Sequence, residues 1–422
     1  MRIATLIGTG LLLVSICLGV VSPSGATQDA KSPRKVKPFQ LTDGEGKSWS
    51  LADQKDKKAI VVLFLGTECP INNQYLPRLA ELHKEFASRG VAFVGINSNV
   101  HDTPARILAH VRANAIPFPV LRDSGNVVAD DFYARRTPEA FVLGPAGEVL
   151  YQGRIDDQIG IGYRRKEAKE RFLVDALEAV LAGKPVPTPQ TDAPGCIIAR
   201  AIKPKDTGSV TFTKQVSRIL QNRCEECHRT GQVAPMPLLT YEDALSWQEM
   251  IREVVTENRM PPWHADSAHG KFGNDRSLSK EEKETLLTWI KEGCPKGDEK
   301  DLPAPKKWQD GWMIGKPDMI IEMPKEFTVP AEAGENGIRY QYFRVNTNFE
   351  EDRWIRAAEC KPGAREVVHH IIVFVIDPTK AKKFGGRPGE GRDGIGNGFL
   401  AAYAPGDMPM DLPNGYAKKL PK

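Results

Sequence analysis

Ala59-Ile60-Val61-Val62-Leu63-Phe64-Leu65-Gly66-Thr67-Glu68-Cys69-Pro70 passes from an uninterrupted apolar run straight into a turn that carries a cysteine. A short run without polar alternation is the pattern of a strand covered on both faces. Downstream, Leu76, Leu79, Leu82 and Phe86 recur at helical spacing, and Val91-Ala92-Phe93-Val94-Gly95-Ile96 is a second buried run. A helix is expected over residues 104–114. Ala140-Phe141-Val142-Leu143, the turn Gly144-Pro145-Ala146-Gly147 and Val149-Leu150-Tyr151 then predict a hairpin, and residues 166–181 a closing helix. Residues 36–182 thus make an α/β unit, a mixed sheet wrapped by helices. Cys69 falls at the mouth of the first helix, where free N–H groups and the helix dipole favour a thiolate.

Gly66-Thr67-Glu68-Cys69-Pro70 after the strand, with Thr137-Pro138 before the hairpin, resembles the thioredoxin-like redoxins of the alkyl hydroperoxide reductase and thiol-specific antioxidant family. The resemblance implies a thioredoxin-like fold, Cys69 as the reactive thiol, and a cis Thr137-Pro138 peptide lying against it. Asn72 stands where a dithiol oxidoreductase carries its second cysteine, so a local Cys-x-x-Cys disulfide is ruled out. Cys196, in the segment that follows, is the candidate resolving thiol. The alternative is a scaffold or docking domain with an idle cysteine.

A second motif lies at Cys224-Glu225-Glu226-Cys227-His228. Covalent haem c attachment needs this arrangement: two thiols bond the haem vinyl groups and the adjoining histidine ligates the iron. A zinc site would need a second ligand pair at matching spacing, and none follows. Around the motif, Phe212, Val216, Ile219 and Leu220 share one helix face, Thr240 caps a longer helix, and Ser279 with Glu282 forms a capping box for a helix that stops at Gly293. Residues 209–300 therefore read as an all-α cytochrome c domain. The far-side iron ligand is expected from Met260 in Arg259-Met260-Pro261-Pro262-Trp263-His264, with His264 and His269 as rivals.

Residues 310–422 alternate apolar and polar positions in short runs: Ile320-Ile321-Glu322-Met323, Tyr340-Gln341-Tyr342-Phe343-Arg344-Val345, Trp354-Ile355-Arg356-Ala357-Ala358 and Val367-Val368-His369-His370-Ile371-Ile372-Val373-Phe374-Val375. That pattern predicts an all-β sandwich. Neighbouring histidines on a regular strand point to opposite faces. The stretch Pro362-Gly363-Ala364-Arg365-Glu366-Val367-Val368-His369-His370 is similar to the first copper-binding strand of the copper type II, ascorbate-dependent monooxygenases, which implies His369 and His370 as copper ligands. That family completes the site with a third histidine and adds a second copper on a following domain. No histidine follows His370 here, so the sandwich and its copper site read as incomplete, with Cys360 a candidate substitute ligand.

Composition sets the borders. Gly183-Lys184-Pro185-Val186-Pro187-Thr188-Pro189-Gln190 opens a linker over 183–208, and Asp301-Leu302-Pro303-Ala304-Pro305 marks a second one. Arg2, the apolar stretch 3–21 and Ser24-Gly25-Ala26 have the shape of a secretory signal over 1–26, or, uncleaved, of a membrane anchor. A formal charge of +4 without Lys/Arg clusters among aromatics does not suggest nucleic acid. The chain is thus expected to be a multidomain extracytoplasmic, periplasmic oxidoreductase carrying haem c and copper, exchanging electrons with a redox protein or a small donor or acceptor. Two alternatives stand beside it: a thiol peroxidase fed by the haem, and a non-enzymatic electron carrier with docking domains.

Overall fold

The computed structural model describes residues 33–308, 311–330, 338–365, 367–376, 398–404 and 407–422. The expected signal segment 1–26 lies outside them. The N-terminal unit is built on a seven-stranded sheet in the order β2-β1-β5-β4-β3-β7-β8. Its strands are β1 (Gln40–Asp43), β2 (Ser48–Ser50), β3 (Ala59–Phe64), β4 (Val91–Asn97), β5 (Val120–Arg122), β7 (Glu139–Leu143) and β8 (Val149–Gly153), with the two-residue β6 (Arg136–Thr137) set apart. Strands β3, β4 and β5 run parallel and the remaining pairings are antiparallel. The predicted buried run is the middle of this sheet. Ala59, Val61 and Leu63 belong to the apolar cluster on one side, and Ile60, Val62 and Phe64 to the cluster on the other. All six are at most 1% exposed, and each large side chain so buried stabilises by about 1.5–3 kcal/mol.

Helices α1 (Pro70–Ala87), α2 (Pro104–Ala113), α3 (Val127–Phe132) and α4 (Phe172–Leu181) flank the sheet. Leu76, Leu79, Leu82 and Phe86 of α1 face the first cluster together with Leu173 and Leu177 of α4. Helix α4 starts later than expected. The carboxylate of Asp157 accepts bonds from the backbone N–H groups of Lys169 and Glu170 (2.7 and 3.0 Å), which holds 166–170 as a loop behind the small hairpin β9 (Ile159–Gly160) and β10 (Tyr163–Arg164).

The segment expected as a free linker is laid against this unit. Gln152 donates to the Pro189 carbonyl and Thr191 donates back to Gln152. Further on, β11 (Cys196–Ile197) pairs antiparallel with β6, in the register Cys196 opposite Thr137. Edge N–H and C=O groups of β6 need partners, and this segment supplies them.

A helical region follows: a π-helical turn at Phe212–Val216, then α5 (Ser217–Arg223), α6 (Tyr241–Ser246), α7 (Gln248–Thr256) and α8 (Lys280–Lys291). Both capping signals read from sequence are formed, at Thr240/Asp243 and Ser279/Glu282. The single long helix expected after Thr240 is instead broken at Trp247. That buried ring stacks on His101 of the N-terminal unit, with centroids 4.6 Å apart, so packing between the two regions overrides helix continuity.

Beyond residue 310 the described strands pair only two by two. They are β12 (Arg353–Ile355) with β17 (Lys418–Leu420), β13 (Ala357–Ala358) with β16 (Met410–Asp411), and β14 (Ile371–Phe374) with β15 (Phe399–Tyr403). The runs at 320–323 and 340–345 form no strand, and Ile320, Ile321, Met323, Tyr340 and Tyr342 stand 51–65% exposed. Two packed sheets are thus not assembled among the described residues, because the apolar faces of these runs meet no opposing sheet there. Likewise no helix among them is long and apolar enough to cross a membrane.

Candidate functional site

Cys69 caps α1, and its side chain is 1% exposed. As a thiol it donates to the carbonyl of Thr137 at 2.8 Å, and its sulfur accepts from the N–H of Asn72 at 3.5 Å. The Thr137-Pro138 peptide is cis, as the resemblance implied. Cys196 is delivered by β11 opposite Thr137, the same residue whose carbonyl accepts from Cys69. Burial raises the Cys69 pKa, but the Cys196 thiol and the Asn72 N–H stabilise the anion more, and its pKa falls to about 6. The effect on Cys196 is opposite: the bond to Cys69, followed by burial, raises it well above the usual thiol range. The two thiols therefore differ in their tendency to ionise. Both are free cysteines.

Gly195 makes the approach possible. Its φ of +114° suits glycine, and a Cβ there would lie 2.1 Å from the Thr137 carbonyl oxygen. On the other side of the strap, Ile198 donates to the Arg135 carbonyl and Ala199 to the Asn99 side chain.

Beneath Cys69 lies a buried polar network that sequence reasoning missed. Asp102 is fully buried and accepts from the Thr67 hydroxyl and N–H, Asn97 (2.8 Å) and Asn99 (3.2 Å). Burial opposes its charge, but the neighbouring His101 and these donors hold its carboxyl below the usual range. The Asp-Asn-Ser composition of 97–102 after β4 was the available signal, and it carries no period that marks it. Burial also lowers the pKa of His101, whose ring lies 3.7 Å from Glu68 and 3.9 Å from Asp102.

In the helical region, Cys224, Cys227 and His228 form one tight turn, with the N–H groups of both Cys227 and His228 donating to the Cys224 carbonyl. His228 is buried, and its Nδ1 is bonded to the Met236 carbonyl at 3.1 Å, which leaves Nε2 as the ring's remaining ligand atom. Burial and Glu225 push the Cys224 thiol up to about 12, and burial with Glu226 raises Cys227. Met260 is placed differently. It is 41% exposed and lines a small cavity with Val255, Pro261, Trp263 and Leu278, and His228 is not part of that lining. His264 and His269 are exposed.

His369 and His370 precede β14 rather than lying on it, so the opposite-face rule for strands does not apply. Their Nδ1 atoms approach to 2.8 Å, and His370 Nε2 meets the Tyr340 hydroxyl at 2.9 Å. No group of three or more His, Cys, Asp or Glu side chains suited to a metal occurs among the described residues. Cys360 is half-buried, its thiol pushed up to about 11 by burial and Glu359.

The sequence model of the AhpC/TSA family matches residues 33–152. The thiol-disulfide oxidoreductase ResA of Bacillus subtilis (strain 168) is 32% identical over 148 residues, spanning 34% of this chain and 81% of that protein. ResA of Halalkalibacterium halodurans is 27% identical over 143 residues, 33% of this chain and 80% of the relative. Among solved structures, the hypothetical protein SMc02350 of Sinorhizobium meliloti 1021 shares 31% identity, covering 41% of this chain and 96% of that one, with a TM-score of 0.37. Through this N-terminal thioredoxin-like α/β unit, the chain belongs to the AhpC/TSA family of redoxins.

Proposed function

We propose that the chain is an extracytoplasmic thiol-disulfide oxidoreductase whose working pair is Cys69 and Cys196. The observation that carries this reading is the placement of Cys196 by β11 opposite Thr137, the residue whose carbonyl accepts from the buried Cys69 thiol. With its pKa lowered to about 6, that sulfur is mainly thiolate at pH 7. It attacks one sulfur of a disulfide substrate, forming a mixed disulfide and expelling the first substrate thiolate. Cys196 then loses its proton and attacks Cys69 Sγ, expelling the second thiolate and leaving the Cys69–Cys196 disulfide. Two electrons have passed to the substrate, and the reverse sequence oxidises a dithiol. Export rests on the signal-shaped segment 1–26 and agrees with this chemistry.

Reduced full-length protein treated with a small disulfide should yield one intramolecular bridge, found by non-reducing peptide mass mapping as Cys69 joined to Cys196. Protein that keeps both thiols, or that bridges Cys69 to another cysteine, would overturn the reading.

The helical region is proposed as the haem c domain, held by Cys224, Cys227 and His228, with Met260 as the far-side ligand. The residues fit the group: two thiols whose ionisation burial opposes precede, in one tight turn, a buried imidazole whose Nδ1 is already committed to Met236. Once bound, haem supplies one-electron transfer. Copper is proposed at His369 and His370, since two nitrogens bound side by side at about 2.0 Å stand close to the separation of their Nδ1 atoms. With two imidazoles and no third side-chain ligand among the described residues, binding should be weak. Copper titration of the full chain should show loss of that binding in His369→Ala and in His370→Ala, and undiminished copper in both variants would remove the site.

A further inference from the structure

Cys196 lies at a seam. Its strand belongs to the redoxin by hydrogen bonding, yet Cys196 and Ile197 pack against the apolar cluster of the helical region. One side chain ties the two sides together at this point. Arg136, on β6 next to Thr137, donates through Nη1 to the carbonyl of Gly195 at 2.7 Å, the oxygen of the peptide that enters Cys196. Through Nη2 it donates to Glu253 of α7 at 2.6 Å. Glu253 is in turn paired with Arg259, which also holds Glu257 at 2.7 Å. The Arg136 and Glu253 side chains are 25% and 14% exposed, sheltered enough for their pairing to resist solvent screening.

We propose that Arg136 and Glu253 are positioning residues for the second step of thiol exchange: Arg136 fixes the Gly195–Cys196 peptide, Glu253 fixes Arg136, and closure of the Cys69–Cys196 disulfide therefore depends on α7 being seated against β6. This rests on the function proposed above. The step concerned is the attack of the Cys196 thiolate on Cys69 Sγ of a mixed disulfide. The new S–S bond forms as the bond from Cys69 to the substrate sulfur breaks, the leaving thiolate takes the electron pair, and the proton shed by Cys196 passes to water. Thiol exchange is sensitive to alignment, and a misplacement on the order of 1 Å can cost a hundredfold. The first attack, by Cys69, draws on Asn72, Thr137 and the mouth of α1, and depends on the strap only through the neighbouring Cys196 thiol and through admission of the substrate. Loss of the ion pair should therefore act unequally on the two steps, slowing the second far more than the first. An arginine fork serves both acceptors at once, and a lysine serves them less well.

The test uses the full chain, mixed with an excess of Ellman's disulfide, quenched in acid at intervals and mapped by mass. The wild type should show the Cys69 adduct appearing and then converting to the Cys69–Cys196 bridge. In Arg136→Gln and in Glu253→Gln adduct formation should change much less than its conversion, which slows about tenfold or more, while circular dichroism and the melting temperature report an intact fold. Arg136→Lys should recover part of the loss. Conversion at the wild-type rate in both glutamine variants would overturn the inference, as would equal slowing of both steps. Failure of the parent reading looks different: a wild-type adduct that never converts.

Discussion

Thiolate titration of the reduced protein, followed by ultraviolet absorbance, should show one cysteine ionising near pH 6, and Cys196→Ala should move that midpoint upward. A free thiol ionises near 8.5, so at pH 7 the anion fraction at Cys69 exceeds that of a free cysteine by about thirtyfold. Cys294 sets the other extreme. Burial pushes it up to about 12, and it should remain protonated across the range. The direction of the mutant shift follows from the opposing causes at Cys69. Burial alone raises its pKa, and the Cys196 thiol is the largest of the groups that lower it. Removing that donor leaves burial opposed chiefly by the Asn72 N–H, so the anion becomes costlier. Absorbance is the right probe because Cys69 is almost inaccessible, and alkylation would partly measure opening of the 195–201 strap. The rate of the first attack, by Cys69, should follow the same curve, falling as pH drops through 6 and flat above 7. A wild-type midpoint near 8.5, or an unmoved midpoint in Cys196→Ala, would remove Cys196 from the site.

How much of this was legible in the sequence depends on the range of the interaction. The central strand announced itself because both faces are covered, which leaves an apolar run without alternation. The α1 face announced itself through Leu76, Leu79, Leu82 and Phe86, one helix start through the cap Thr240 and another through the capping box Ser279/Glu282. Cys69 was readable as a helix-mouth thiol. Its partner Cys196 was readable as a candidate resolving thiol, but not the place where the fold would deliver it. The strand that delivers Cys196 is two residues long and pairs with another two-residue strand, too short for any period to show. What holds it is long-range and particular: the positive φ of Gly195, the Arg136 fork and the apolar seam. The break between α6 and α7 was hidden for a similar reason, since the local sequence continues a helix and only the stacking of Trp247 on His101 interrupts it. In the C-terminal region the alternation at 320–323 and 340–345 is real, but a period of two makes a strand only where an opposing edge and face exist. The two adjacent histidines escaped the strand rule because they precede β14.

Full-length protein matured in a host that attaches haem c should hold haem that survives denaturation and acid-acetone extraction, and Cys224→Ser with Cys227→Ser should abolish it entirely. The effect is all or none because the thioether bonds are covalent and no other Cys-x-x-Cys-His occurs in the chain. Cys224 is held near the protonated form by burial and Glu225, and an intact S–H is what adds across a vinyl group. The His228 ring is oriented by the Met236 carbonyl, and such a bond fixes the tautomer that presents Nε2 to a metal. His228→Ala should therefore leave the thioether links formable and change the ligand-field spectrum instead. The far side of the ring is the sharper test. Met260 stands 41% exposed in a cavity whose lining does not include His228, and it is the residue that would hold the far side of the iron. If it does, the ferric protein shows the weak long-wavelength band of a thioether ligand, and Met260→Ala removes that band while covalent haem remains. A wild-type spectrum without the band would transfer the role to His264 or His269, both exposed and on the same stretch of chain. Complete extraction of haem from the wild type would instead leave the Cys69–Cys196 pair as the chain's redox centre.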